Sequence, residues 1–289
     1  MKFRIHGNCQ VGSIADSLRL LYRTEDVQSF LVDTTSQGLR NHFSKVGDSD
    51  GFIEIVHDSL LSVIRADPSV LELVPSKFLT IPTITFSAFQ PDIQYIFDET
   101  GVVKNGLQGD WNSRIVISAY LRGLSPQQTG ELFNIDTFRV LGYLDDWNES
   151  AQFLRNSFES CGLNGTHWLW RMATHGVYMH GINHPSPVAI FELVKQFARV
   201  HLPPPDHTIT DPEHYLTDHL SHIVWPFYPE IAATLGFEGS YLWRDGNQYA
   251  NLSTFIKSTF QHWEFLNLRG KQLTFIPPLD ESHQAIIMK

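Results

Sequence analysis

Two cysteines, Cys9 and Cys161, are all that 289 residues contain, too few for a disulfide framework and in keeping with a reducing compartment. Basic residues are also scarce. Lys plus Arg is 21 against 31 Asp plus Glu, a formal charge of −10, so no nucleic-acid partner is expected. No run of about 18 apolar residues occurs, and no membrane span is expected. The opening segment, MKFRIHGNCQ, lacks the apolar stretch and small-residue cleavage site of a signal peptide, which points to a cytoplasmic location. Only 18% of residues are charged and no low-complexity tract is present, which excludes disorder over most of the chain. Apolar residues, by contrast, make up 42%, ample for one large core or two small ones. Residues 1–289 read as one domain, with 202–289 as a helical extension or lid.

Hydrophobic periodicity gives an α/β order. Strands are expected over 2–6, 26–32, 51–56 and 78–86, the last at an edge because Pro82 cannot donate to a ladder. A helix is expected over 11–23, where Val11, Ile14, Ala15, Leu18, Leu21 and Tyr22 share one face, and another starts near Asp58. Strands alternating with helices predict a mostly parallel sheet with flanking helices. The later chain reads as largely helical, with helices near 112–122, 126–133, 146–160, 187–200, 212–222 and 252–263. Ser125-Pro126 supplies a cap and a first-turn proline. The LPPPD stretch at 202–206 is the clearest break in the chain.

The segment Ile5-His6-Gly7-Asn8-Cys9-Gln10-Val11-Gly12 carries the chemistry. A strand runs into a glycine-containing turn, the turn presents Cys9, and an amphipathic helix begins at once. Ligands of open α/β sheets bind at the carboxyl ends of the strands. A helix N-terminus there favours an anion, including a thiolate nucleophile or a developing oxyanion. Asn8 and Gln10 are candidate oxyanion donors or plain turn caps. The plain alternative for Cys9 is a small buried residue after a strand. A thiol nucleophile needs a base, and His184, in the loop His180-Gly-Ile-Asn183-His184-Pro185-Ser186-Pro187 before a late helix, stands where one is commonly placed. Gln90 and Asp92 lie just past the fourth strand, at the sheet end where a substrate pocket forms; Asp92 reads more simply as a turn residue. Asn112 opens a helix, and Arg114 in it suits a cofactor phosphate.

Taken together, Gly-Asn-Cys-Gln after the first strand and the Asn-His-Pro loop before a late helix resemble the capsular polysaccharide biosynthesis acetyltransferases of the WcbI family. That family is similar in layout to SGNH (GDSL-type) hydrolases. Phe86-Ser-Ala-Phe-Gln-Pro91-Asp92, Gly109-Asp-Trp-Asn112-Ser113 and Gly239-Ser-Tyr-Leu-Trp243 extend the likeness over most of the chain. The resemblance implies an SGNH-like (flavodoxin-like) fold, a site for coenzyme A or acetyl-CoA as substrate, and acetyl transfer to a sugar hydroxyl. It puts Cys9 in the nucleophile's place and His184 in the base's. Two positions depart from the hydrolase pattern. Cys9 stands where serine is usual, and Gly181 stands three residues before His184 where an aspartate is usual. His180 and Asn183 remain as neighbours able to orient His184.

Three rival readings compete. A thioesterase on the same site passes the acyl group to water. A non-catalytic glycan-binding protein keeps Cys9 as a structural residue, its tryptophans packing against sugars or core. A metal-dependent hydrolase uses Asp211, His214, Asp218, His219 and His222; three of these recur every four residues, yet the His-Glu-x-x-His pattern is missing, and no metal is expected.

Overall fold

The structure, a computed structural model, describes residues 1–47, 51–205 and 207–279. Asp206, at the end of the LPPPD break, and positions 280–289 of the expected extension lie outside the described residues. In chain order the elements begin β1 (Lys2–Gly7), α1 (Val11–Tyr22), β2 (Val27–Leu31), α2 (Ser36–Val46), β3 (Phe52–His57), α3 (Asp58–Ala66), α4 (Pro68–Leu71) and β4 (Leu79–Ile81). They continue with β5 (Ile93–Asp98), β6 (Gly101–Val102), β7 (Asn112–Ser113), α5 (Arg114–Leu121), α6 (Pro126–Glu131), α7 (Ile135–Val140), α8 (Asp146–Ser160) and α9 (Gly165–Ala173). Then follow β8 (Met179–Gly181), β9 (His184–Pro185), α10 (Pro187–His201), β10 (Ile223–Val224), α11 (Pro229–Thr234), β11 (Leu242–Asp245), β12 (Gln248–Asn251), α12 (Leu252–Phe265) and β13 (Thr274–Ile276).

Two compact units result. The first comprises Met1–Thr85, Ala151–Tyr178 and Asn183–Ser221; the second takes Phe86–Ser150, Met179–Ile182 and the chain from His222 onward. The first is built on a parallel sheet of order β2-β1-β3-β4, with Ile5 opposite Ser29 on one side and Ile55 on the other. Alternation along β1 sends Phe3 and Ile5 to one face and His6 to the other. Phe3 meets Tyr22 of α1, and α1 buries Ile14, Ala15 and Leu18; full burial of a leucine or isoleucine contributes about 1.5–3 kcal/mol. The opposite face packs Val56 with Leu39 and Phe43 of α2, Leu60 and Ile64 of α3, and Val70 of α4. Apolar helices on both faces are what fix a parallel sheet in place.

Strand β4 is shorter than expected, ending at Ile81 because Pro82 has no N–H for the ladder; it lies at the sheet edge, as the proline requires. Helix α6 begins with the capping box of Ser125 and Gln128. The helix expected over 212–222 does not form. Only Pro212–His214 makes a short 3-10 turn, since the segment offers too few apolar residues to stabilise a helix by packing. The second unit holds two antiparallel sheets, β13-β5-β6 with β7 beside β5, and the meander β10-β11-β12. These strands are two to six residues long, too short for a clear alternating signal.

Candidate active site at the first strand-to-helix turn

The site is assembled where β1 gives way to α1. Gly7 lies beside His57, the last residue of β3. A methyl group on Gly7 would come within 2.5 Å of the His57 ring, so only glycine lets the two strand ends close up. Asn8 then folds the turn: its Oδ1 accepts the Gln10 N–H at 3.0 Å and its carbonyl accepts the Val11 N–H at 3.2 Å. Cys9 is presented between them, half-buried. No side chain caps α1, so the positive end of its dipole faces this turn.

Gln10 holds the turn to two other segments. Its Nε2 donates to the Ile84 carbonyl at 2.8 Å and to the Asn183 carbonyl at 3.0 Å, and its Oε1 accepts the Ile84 N–H at 3.1 Å. With both its side-chain amide and its backbone N–H engaged, Gln10 acts as a clamp rather than as the oxyanion donor its position suggests. The Asn8 side-chain amide engages the turn through its oxygen. The clamp ends on the residue before His184, so Cys9 and His184 are each one residue from the same hydrogen bond. His184, in β9 just before α10, is 9% exposed, and α10 is capped by Ser186.

Electrostatics at the turn run against a free thiolate. Burial pushes the Cys9 thiol up to about 11, and a hydrogen bond from its own backbone pulls only weakly the other way. His57 is fully buried, and burial pushes its imidazole down to about 3, so it is neutral. Its Nδ1 lies 3.4 Å from the Thr83 hydroxyl, and among the described residues its Nε2 has no partner. Sequence reading passed over His57; the signal was its place as the last residue of the third strand.

Gln90, Asn112 and Arg114 fall in the second unit. Gln90 is buried and donates to the Met179 carbonyl at 3.3 Å. Asn112 donates to the Val103 carbonyl at 2.9 Å. Among the described residues both keep a buried side-chain oxygen without a partner, as Arg114 does its Nε. Their neighbour Gln94, opposite Asn112 in the β5–β7 register, has both amide atoms unpaired among the described residues. Asp92 proves to be more than a turn residue. It is fully buried and accepts from the Tyr143 hydroxyl at 2.9 Å, the Tyr228 hydroxyl at 2.8 Å and the Ile115 N–H at 3.0 Å. Burial pushes its carboxyl upward despite these bonds. The histidine-rich segment does not converge either: His219 bonds Asp16 of α1 at 2.6 Å, and among the described residues no three His, Cys, Asp or Glu side chains are grouped to hold a metal ion.

A parallel sheet with a cysteine at its first strand-to-helix turn, clamped to a histidine loop, defines an α/β protein with its candidate chemistry at the carboxyl edge of the strands. A sequence profile described as the polysaccharide biosynthesis enzyme WcbI matches residues 2–204, and the chain belongs to this family of polysaccharide biosynthesis enzymes. A solved structure with the same fold superposes with a TM-score of 0.63 at 11% identity, covering 91% of this chain and 90% of that one. It is described as WcbI, a novel polysaccharide biosynthesis enzyme, in a native form without a disulfide bond between coenzyme A and a cysteine of that protein. A comparison with curated proteins returned no match.

Proposed function

We propose that the protein transfers an acyl group, acetyl first among them, from acyl-coenzyme A to a sugar hydroxyl, with Cys9 as nucleophile and His184 as base. The observation that carries this reading is the Gln10 clamp, which ties the Cys9 turn to Asn183, the residue before His184. Family membership supports a role in polysaccharide synthesis, and the description of the solved structure names coenzyme A together with a cysteine, in a form without a disulfide between them.

A thiol pushed up to about 11 is almost wholly protonated at neutral pH, so the base is indispensable. His184 takes the Cys9 proton as sulfur attacks the thioester carbonyl. The oxyanion of the tetrahedral adduct is met by the Asn8 side-chain amide and the N-terminal end of α1. Collapse breaks the bond to coenzyme A, whose sulfur leaves with the proton from His184, and the acyl group stays on Cys9. A sugar hydroxyl then attacks, giving its proton to His184, which returns it to the departing Cys9 sulfur.

Intact-mass measurement after brief incubation with acetyl-CoA tests this. One acetyl adduct is expected on the wild type and none on Cys9→Ala, with free coenzyme A appearing in step. An unmodified wild-type protein, or an adduct that survives in Cys9→Ala, rejects the covalent route. Release of free acetate in the presence of sugar, with no acetylated sugar, assigns the site to a thioesterase.

A further inference from the structure

We infer that the cavity at the carboxyl ends of β3 and β4 is a subsite for a neutral sugar ring, the acceptor in the reaction proposed above, on which this inference rests. The cavity has a volume of about 380 Å³ and is lined by Asp58, Ser59, Thr83, Thr85, Phe153 and Asn156, together with Ser157. It opens at the strand ends where α/β proteins bind their ligands. It also adjoins the Cys9 turn through the chain itself. Gln10 is bonded to both the N–H and the carbonyl of Ile84, the residue between Thr83 and Thr85.

Its walls are pinned. Asp58 accepts the Thr83 N–H at 2.8 Å through one carboxylate oxygen and the Ser157 hydroxyl through the other, so the end of β3, the segment after β4 and helix α8 are joined at one residue. Groups remain for a ligand. Phe153 is 61% exposed and shares a face of α8 with Asn156 and Ser157. The Asn156 oxygen accepts from Gln152, which leaves its amide N–H groups open, and the Thr85 hydroxyl donates or accepts, while the Thr83 hydroxyl, 3.4 Å from His57 Nδ1, keeps a further lone pair. An aromatic platform with a few converging uncharged polar groups matches a ring that is apolar on its faces and hydroxylated at its rim. The one charge among the lining residues is the carboxylate of Asp58, with no cation bonded to it among the described residues, so an anionic sugar is disfavoured.

Saturation-transfer NMR with four probes decides the matter: the methyl glycosides of glucose, mannose and galactose, and glucuronate. At least one neutral glycoside is expected to receive saturation from the wild-type protein, and glucuronate to receive less. Phe153→Ala, an exposed position whose loss leaves the core intact, is expected to weaken the signal at least about fivefold, and Thr85→Val to weaken it too. No transfer to any neutral glycoside overturns the inference, as does a signal that survives both substitutions or a preference for glucuronate. The acetyl adduct on Cys9, measured on the same Phe153→Ala protein, keeps the two proposals apart. Sugar binding lost with the adduct retained supports both. Localised sugar binding without any adduct in the wild type retains the subsite and rejects acyl transfer.

Discussion

Gln10→Leu removes the clamp while keeping side-chain bulk, and so isolates what the hydrogen bonds contribute. Three partners lose their contact: the Ile84 N–H, the Ile84 carbonyl and the Asn183 carbonyl. Ile84 is fully buried, so its two groups cannot turn to water. Each buried orphan costs about 1–3 kcal/mol, and two give a loss of about 2–6 kcal/mol. Against a typical total of about 5–15 kcal/mol, the variant should remain folded but with a clearly lower urea midpoint. The local signature is sharper. The Ile84 amide, held by the Gln10 oxygen, should exchange with deuterium much faster than in the wild type. The same protein should lose the acetyl adduct on Cys9, since the turn and the His184 loop are no longer joined. A stability change within about 0.5 kcal/mol together with an unchanged Ile84 exchange rate refutes the clamp.

Gly7→Ala should destabilise by about 1–3 kcal/mol through overpacking, because the new methyl meets ring atoms of the immobile His57 at 2.5, 2.7 and 2.8 Å. In a His57→Ala background that cost should vanish, and a double-mutant cycle in urea that finds the two changes additive counts against the contact. Stability should also fall in acid. His57 is held down to about 3 from an ordinary 6.5, so below pH 6.5 the unfolded chain binds a proton that the folded one refuses until about pH 3, a slope of about 1.4 kcal/mol per pH unit. His42, pushed down to about 4 by burial and by neighbouring His6, acts in the same direction. His57→Asn should flatten the limb between pH 6.5 and 4, and parallel curves for variant and wild type contradict the assignment.

The first unit was legible because its signals are strong and local. α1 announced itself by Ile14, Ala15 and Leu18 on one face, β1 by the alternation of Phe3 and Ile5 with Lys2, Arg4 and His6, and β3 by Phe52, Ile53, Ile55 and Val56. Pro82 placed its own strand at the edge. What escaped depends on partners distant in sequence. The role of Gln10 rests on Ile84 and Asn183, separated from it by 74 and 173 residues. Asp92 looked like a turn residue because nothing near it hints at Tyr143 and Tyr228. The repeat of His214, Asp218 and His222 implied a helix face, but without apolar residues to bury, spacing alone does not make a helix.

Two opposing effects meet at Cys9, and their magnitudes decide the resting state. A helix N-terminus favours an anion by about 0.3–1 kcal/mol at ordinary exposure. The rise from 9.0 to about 11 that burial imposes corresponds to about 3 kcal/mol in favour of the thiol. Burial wins, so the strand-turn-helix placement that drew attention to Cys9 does not by itself make it reactive. In the proposed reaction the placement orients the sulfur and the positive helix end meets the oxyanion, while proton removal falls to His184. In the reaction proposed above, such a thiol stays protonated until substrate and base are both in position. It also gives the Gln10 clamp its importance: the thiol and the histidine lie 175 residues apart in the sequence, and one buried amide brings their two loops together.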